Sequence, residues 1–217
     1  MVSFEMAKTI ALSVVVSFML FKTTIALGCF ECVDSPHPAD CNQVTVCTDY
    51  ETCVVKQYVT TGGLILYSSG CETKSTCTSF GKRNIDDVIH ERQSRQQSSD
   101  VITCAECCNG SYCNMVGCGI TKVSQPARGP MCYACKTSDS PDACRTVTEC
   151  EQGMACKLTQ IPGSLPGTHE YESGCMKELV CRLQMGQAHH SPGFCSVCCT
   201  DDFCNNSCAS NSTMNGK

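Results

Sequence analysis

The chain has 217 residues, of which 24 are Cys and none Trp, and a net charge of −5. Cysteine at this density marks an oxidised, disulfide-stapled extracellular scaffold and excludes a cytosolic domain built on one large apolar core. Residues 29–118 carry 6 Lys+Arg against 11 Asp+Glu, and residues 132–208 carry 5 against 9, so neither nucleic acid nor an anionic membrane surface is expected as a partner.

In chain order, Lys8 precedes an apolar run from Ile10 to Phe21. Twelve residues are too few for a bilayer span of about 20. With small Thr24 and Ala26 behind it, the run reads as a signal peptide over 1–26, cut after Ala26 or after Gly28. Residues Val54–Val59 are β-branched and aromatic, Thr60–Gly63 is a turn, and Leu64–Tyr67 returns, which together predict a hairpin. Ile85, Val88, Ile89 and Arg92 recur at helical spacing, so a short helix is expected within Ile85–Arg95, with a polar loop over 93–100. The Cys-free stretch 119–131, with Pro126, Gly129 and Pro130, reads as a linker short enough for the flanking parts to touch. Between Cys156 and Cys175, Pro162-Gly163 and Pro166-Gly167 predict a longer, irregular tip. The tail 209–217 is polar, without the hydrophobic run of a lipid-anchor signal, so no membrane anchor is expected.

The cysteines form two sets of twelve. The gaps are 2, 8, 5, 5, 17, 5, 26, 2, 0, 4, 4 from Cys29 to Cys118, and 2, 8, 5, 5, 18, 5, 13, 2, 0, 4, 3 from Cys132 to Cys208. Eight of the eleven gaps agree and two more differ by one, so the chain is a duplication with domains at 27–118 and 132–208. The neighbours agree as well. Gly28-Cys29-Phe30-Glu31-Cys32 parallels Met131-Cys132-Tyr133-Ala134-Cys135, and Cys113-Asn114 parallels Cys204-Asn205.

The opening C-x2-C, the adjacent Cys107-Cys108 and Cys198-Cys199, and the closing C-x4-C-Asn resemble the three-finger domain of the urokinase-receptor and snake-neurotoxin superfamily. The resemblance covers 29–118 and 132–208 and implies an all-β, small, disulfide-rich fold, two tandem three-finger domains of β-hairpins on a disulfide hub. The family's pairing implies Cys29–Cys53, Cys32–Cys41, Cys47–Cys71, Cys77–Cys107 and Cys108–Cys113. In the second copy it implies Cys132–Cys156, Cys135–Cys144, Cys150–Cys175, Cys181–Cys198 and Cys199–Cys204. Each copy departs from the family by two extra cysteines, Cys104 with Cys118 and Cys195 with Cys208. We read these as pairs, with Cys77–Cys104 and Cys107–Cys118 left open as the alternative. Asn114 and Asn205 resemble the asparagine that family members bury at the hub.

The resemblance is a poor guide to activity, because one fold hosts many functions. Zinc is disfavoured by an even cysteine count in a secreted chain, and His189-His190 reads as an exposed loop pair, so no metal or cofactor is expected. Secreted phospholipases need a His close after an adjacent cysteine pair. Here Asn109-Gly110-Ser111-Tyr112 and Thr200-Asp201-Asp202-Phe203 follow, with Asp201-Asp202 read as a solvated turn, and no G-x-S-x-G or H-E-x-x-H motif occurs. The expectation is therefore a secreted, non-enzymatic two-domain protein that recognises an extracellular protein through its finger loops. Candidate contacts are Thr60, Thr61, Leu64, Leu66, Ile161, Leu165, His169 and Tyr171, with the third-finger loops Ile85–Asp100 and Gln184–Phe194. The alternatives are an inhibitor of a secreted enzyme, a modulator of an acetylcholine-receptor-like target or a toxin-like protein, and a component of an extracellular matrix or secretion. The toxin-like reading is weakened because Lys56 and Lys157 sit at finger roots rather than tips. N-glycosylation is expected at Asn109 and Asn211, and not at the hub residue Asn205.

Overall fold

A computed structural model describes residues 27–80, 100–121, 128–188 and 194–208. The signal-peptide reading, the Ile85–Arg95 helix, His189-His190, Asn211 and the polar tail lie outside them. The chain is a small, disulfide-rich, mostly β protein, and no helix among the described residues is long and apolar enough to cross a membrane.

In the first repeat, β1 (Leu27–Phe30) pairs with β3 (Val44–Cys47). Strands β2 (Cys32–Ser35), β5 (Ile65–Thr73), β4 (Glu51–Val59) and β6 (Val101–Cys108) form a second sheet in the order β2-β5-β4-β6. In the second repeat, β7 (Met131–Tyr133) pairs with β8 (Val147–Glu149). Strands β10 (His169–Lys177), β9 (Met154–Pro162) and β11 (Ser196–Cys199) form a three-stranded sheet with β9 in the middle.

The predicted hairpin is β4–β5. Its turn closes by Thr60 N–H to Leu64 O and Gly63 N–H to Thr60 O, both 2.9 Å, and Gly63 takes φ +80°, where a Cβ is strained. The second hairpin has the expected longer tip, by one residue: 163–168 join its strands where 60–64 join those of the first. Its strands are nine residues each, as in the first. The irregularity is confined to a short tip closed by Gly163 N–H to Thr168 O at 2.9 Å.

All 24 cysteines are in disulfides. The first repeat holds Cys29–Cys53, Cys32–Cys41, Cys47–Cys71, Cys77–Cys107, Cys104–Cys118 and Cys108–Cys113. The second holds Cys132–Cys156, Cys135–Cys144, Cys150–Cys175, Cys181–Cys198, Cys195–Cys208 and Cys199–Cys204. In each main sheet the central cysteine is flanked by two others. Cys53 lies opposite Cys71 and Cys108, and Cys156 opposite Cys175 and Cys199. A wall of sulfur therefore stands where a larger domain would place aliphatic side chains.

Two helices were not anticipated, Lys74–Phe80 after β5 and Glu178–Ala188 after β10. The first, KSTCTSF, has poor helix formers and no apolar stripe. It is held by Thr73 Oγ1, which accepts from Thr76 N–H at 3.3 Å in the manner of an N-cap, and by the Cys77–Cys107 bridge. Cys181–Cys198 tethers the second helix at the equivalent turn.

The largest apolar cluster lies between the repeats. Phe30, Val44 and Met115 from the first pack with Met131, Tyr133 and Val147 from the second, with Tyr112 and Phe203 against them. The linker reading is shortened accordingly. Residues Arg128–Met131 are buried and belong to the second repeat. Arg128 donates to both carboxylate oxygens of Asp202, at 2.9 and 2.7 Å, and to Gly129 O at 2.7 Å. Asp202 also accepts from Met131 N–H at 2.9 Å. Asp202 is thus no solvated turn residue, although Asp201 beside it is exposed. A Cβ on Gly129 would collide with the carbonyl oxygens of Cys150 and Glu151, so only glycine lets the chain enter β7 this closely.

Tyr112 and Tyr133 join their hydroxyls across the same cluster. Burial first, and the Tyr112 hydroxyl second, push the Tyr133 phenol well above its ordinary value. A phenol whose folded pKa exceeds its unfolded value of about 10 contributes stability in full below pH 10, and that contribution is lost as pH rises toward the folded pKa. The melting temperature should hold between pH 7 and 9 and fall above pH 10. Tyr133→Phe should flatten that fall, and an equally steep alkaline decline in the variant would show that another group causes it.

Candidate functional site

The tip of the β4–β5 hairpin presents a cross-strand apolar surface. Val59 lies opposite both Ile65 and Val101, so three β-branched residues form one row across β5, β4 and β6. Tyr58, one position along, lies opposite Leu66 and Ile102. Leu64, Ile65 and Ile102 keep 64%, 55% and 56% of their surface exposed. The disulfides that fix the hairpin, Cys29–Cys53 and Cys47–Cys71, stand at its other end. Among the expected contacts, Thr61 and Leu64 are exposed, while Thr60 and Leu66 are half-buried. Thr60 Oγ1 accepts from Leu64 N–H at 3.1 Å and so shapes the turn.

Ile65 falls within the candidate segment 60–66, whereas Val101, Ile102 and Tyr58 were not among the sequence candidates. Alternation marks Ile65 and Ile102 as strand residues, but the strand register that joins them to β4 is not readable from it. The Tyr58 hydroxyl donates to Asp34 of β2. Burial first, and this acceptor second, push its phenol up to about 12, so it is a neutral donor at physiological pH.

The second tip is different. Leu165 is 68% exposed but stands among Ser164, Pro166, Gly167 and Thr168. His169 is exposed and Ile161 half-buried. Ser164 donates through its backbone N–H at 3.0 Å and its hydroxyl at 2.8 Å to Glu170, and these bonds hold the Glu170 carboxyl below its ordinary range. Tyr171 is drawn into structure instead. Its backbone exchanges two 2.9 Å hydrogen bonds with Ser138, and its ring packs on the Leu158 and Val197 cluster. The Glu178–Ala188 helix adds exposed Leu179 and Leu183, four residues apart on one face. Of the third-finger segments, only Asp100, residues 184–188 and Phe194 fall among the described residues.

The hub asparagines are fully buried. Asn114 Oδ1 accepts from Phe30 N–H at 3.0 Å, and its Nδ2 donates to Phe30 O at 2.9 Å and Val54 O at 3.0 Å. Asn205 repeats this with Tyr133 N–H at 3.0 Å, Tyr133 O at 3.0 Å and Lys157 O at 2.7 Å. Each ties the first hairpin to the central strand by satisfying backbone groups that no strand pairs. Asn109 is exposed and accepts from Thr52 Oγ1 at 2.9 Å. Lys56 and Lys157 are committed to cross-strand partners, Glu72 at 2.8 Å and Glu172 at 2.7 Å.

Comparison with protein-family models gives no match, and comparison with curated proteins gives none either.

Proposed function

We propose that this chain is a secreted, non-enzymatic recognition protein made of two three-finger domains, and that the tip of the first domain's central hairpin binds an extracellular protein. The observation that carries this reading is exposed Ile65 and Val101 flanking half-buried Val59 in one row, with exposed Leu64 at the turn and exposed Ile102 in the next row, on the opposite face of the sheet. Apolar side chains gathered at the free end of a disulfide-held hairpin cost solubility unless something covers them. An apolar, uncharged centre rimmed by polar turn residues matches the general anatomy of a protein interface. The sulfur-bonded hub removes most of the entropy loss that a mobile loop would suffer on binding. Asn109, exposed at the far end of β6, is proposed as a glycan acceptor, and the burial of Asn205 keeps its sequon unmodified.

The test is affinity capture from extracellular fluid with the purified protein, followed by mass spectrometry, run beside an Ile65→Glu/Ile102→Glu variant. The native protein should retain a saturable partner that the variant retains at least ten-fold less well, with disulfides and melting temperature unchanged. Equal capture by both proteins would remove the tip from the binding surface.

A further inference from the structure

The contact between the repeats is symmetric. Phe30, Asn42, Gln43 and Val44 correspond in the cysteine alignment to Tyr133, Arg145, Thr146 and Val147, and Tyr112 corresponds to Phe203. The backbone bonds and ring contacts across the interface have their mates under this exchange, whereas Met115, Met131 and the Tyr112–Tyr133 hydroxyl contact do not. Val44 N–H donates to Arg145 O at 2.8 Å, and Val147 N–H donates to Asn42 O at 2.8 Å. Between them the equivalent residues Gln43 and Thr146 form an antiparallel bridge. Phe30 meets Phe203 edge-on at 6.1 Å and 70°, and Tyr133 meets Tyr112 edge-on at 6.5 Å and 79°. On the axis itself the equivalent residues Tyr112 and Phe203 stack at 3.8 Å and 22°. Both have left-handed backbone, φ 60° and 59°, and both sit one residue before the last cysteine of the adjacent-pair loop.

This is the geometry of an isologous interface, in which one patch meets its own equivalent. Two reciprocal backbone hydrogen bonds do not depend on side-chain identity, and the ring positions are filled by Phe or Tyr in either role. We propose that the face formed by Phe30, Val44 and Tyr112 is a homotypic docking surface whose fitting partner is another repeat with the same pattern. Within one chain the second repeat occupies it. When the connection cannot span, the second repeat of another copy occupies it, and the exchange closes into a dimer with two such interfaces.

Two experiments on the full chain test this. In the first, residues 122–127 are replaced by a protease site of equal length and cut. Sedimentation should show one particle of the uncut mass, and separation into two half-sized species overturns the proposal. In the second, 122–127 are deleted, which makes Thr121 and Arg128 neighbours about 3.8 Å apart at Cα and so shortens the connection between the repeats. The sedimenting mass should double at micromolar concentration, and adding Phe203→Lys should return it to that of a single chain with native disulfides. A deletion protein that stays monomeric with native disulfides, or a dimer indifferent to Phe203→Lys, counts against the surface.

Discussion

Asn205→Ala should destabilise the second repeat by about 3–5 kcal/mol, since each buried polar group stripped of its partner costs about 1–3 kcal/mol. The substitution orphans three groups at once: Tyr133 N–H, Tyr133 O and Lys157 O. The two Tyr133 groups cannot turn to water, because Tyr133 and Asn205 are buried, while Lys157 O sits at a half-buried position. The readout is hydrogen exchange at the Tyr133 amide, with denaturant unfolding under non-reducing conditions. Exchange there should accelerate by at least two orders of magnitude. Asn205→Asp keeps the acceptor for Tyr133 N–H but turns a buried carboxylate oxygen toward two carbonyls, so at neutral pH it should be at least as destabilising as Ala. An unchanged Tyr133 amide in the Ala variant would mean that the disulfides alone hold the hub.

Asp202→Ala should have an effect of similar size, for a different reason. Arg128 is almost fully enclosed, with 3% of its side-chain surface exposed. Hydrogen bonding to Asp202 outweighs the burial penalty and holds the guanidinium charged. Without Asp202, a buried cation is left with a neighbouring carbonyl and only the weaker field of Glu149. Breaking such a pair from one side typically costs about 3–5 kcal/mol, whereas replacing both partners by apolar groups can be neutral. The single substitution should therefore lower the melting temperature markedly, and Arg128→Met/Asp202→Leu should recover most of the loss. If single and double variants melt alike, the pair contributes only packing. The first repeat has Ser111 at the position of Asp202, so the clamp belongs to the second repeat and to its junction with the linker.

The parts of this fold legible in the sequence are those coded locally. Val54–Val59 and Leu64–Tyr67 around Thr60–Gly63 announce a hairpin because β-branched residues and a glycine turn are neighbours in the chain. Residue pairs distant in sequence are not legible in this way. Arg128 meets Asp202 across 74 residues, and no spacing rule links a linker arginine to an acid after Cys199. The Lys74–Phe80 helix has no periodicity to detect, because a disulfide rather than an apolar face holds it. The aromatic cluster escaped for a related reason. Phe30, Tyr112, Tyr133 and Phe203 each stand beside a cysteine, where they read as isolated residues, and only the docking of the repeats brings their rings together. Of the candidate site, the turn residues Thr61 and Leu64 were readable as exposed. Ile65 and Ile102 were not, since their exposure depends on where the sheet ends. The backbone pairing of Tyr171 was not readable either, because its partner, Ser138, lies 33 residues away.

The account stands on two self-contained sulfur hubs. Peptide mapping of the purified protein under non-reducing, acidic conditions with mass spectrometry tests this most directly. It should return twelve bridges, six within 29–118 and six within 132–208, including Cys104–Cys118 and Cys195–Cys208. Free thiols in quantity, or bridges that join one repeat to the other, would contradict it.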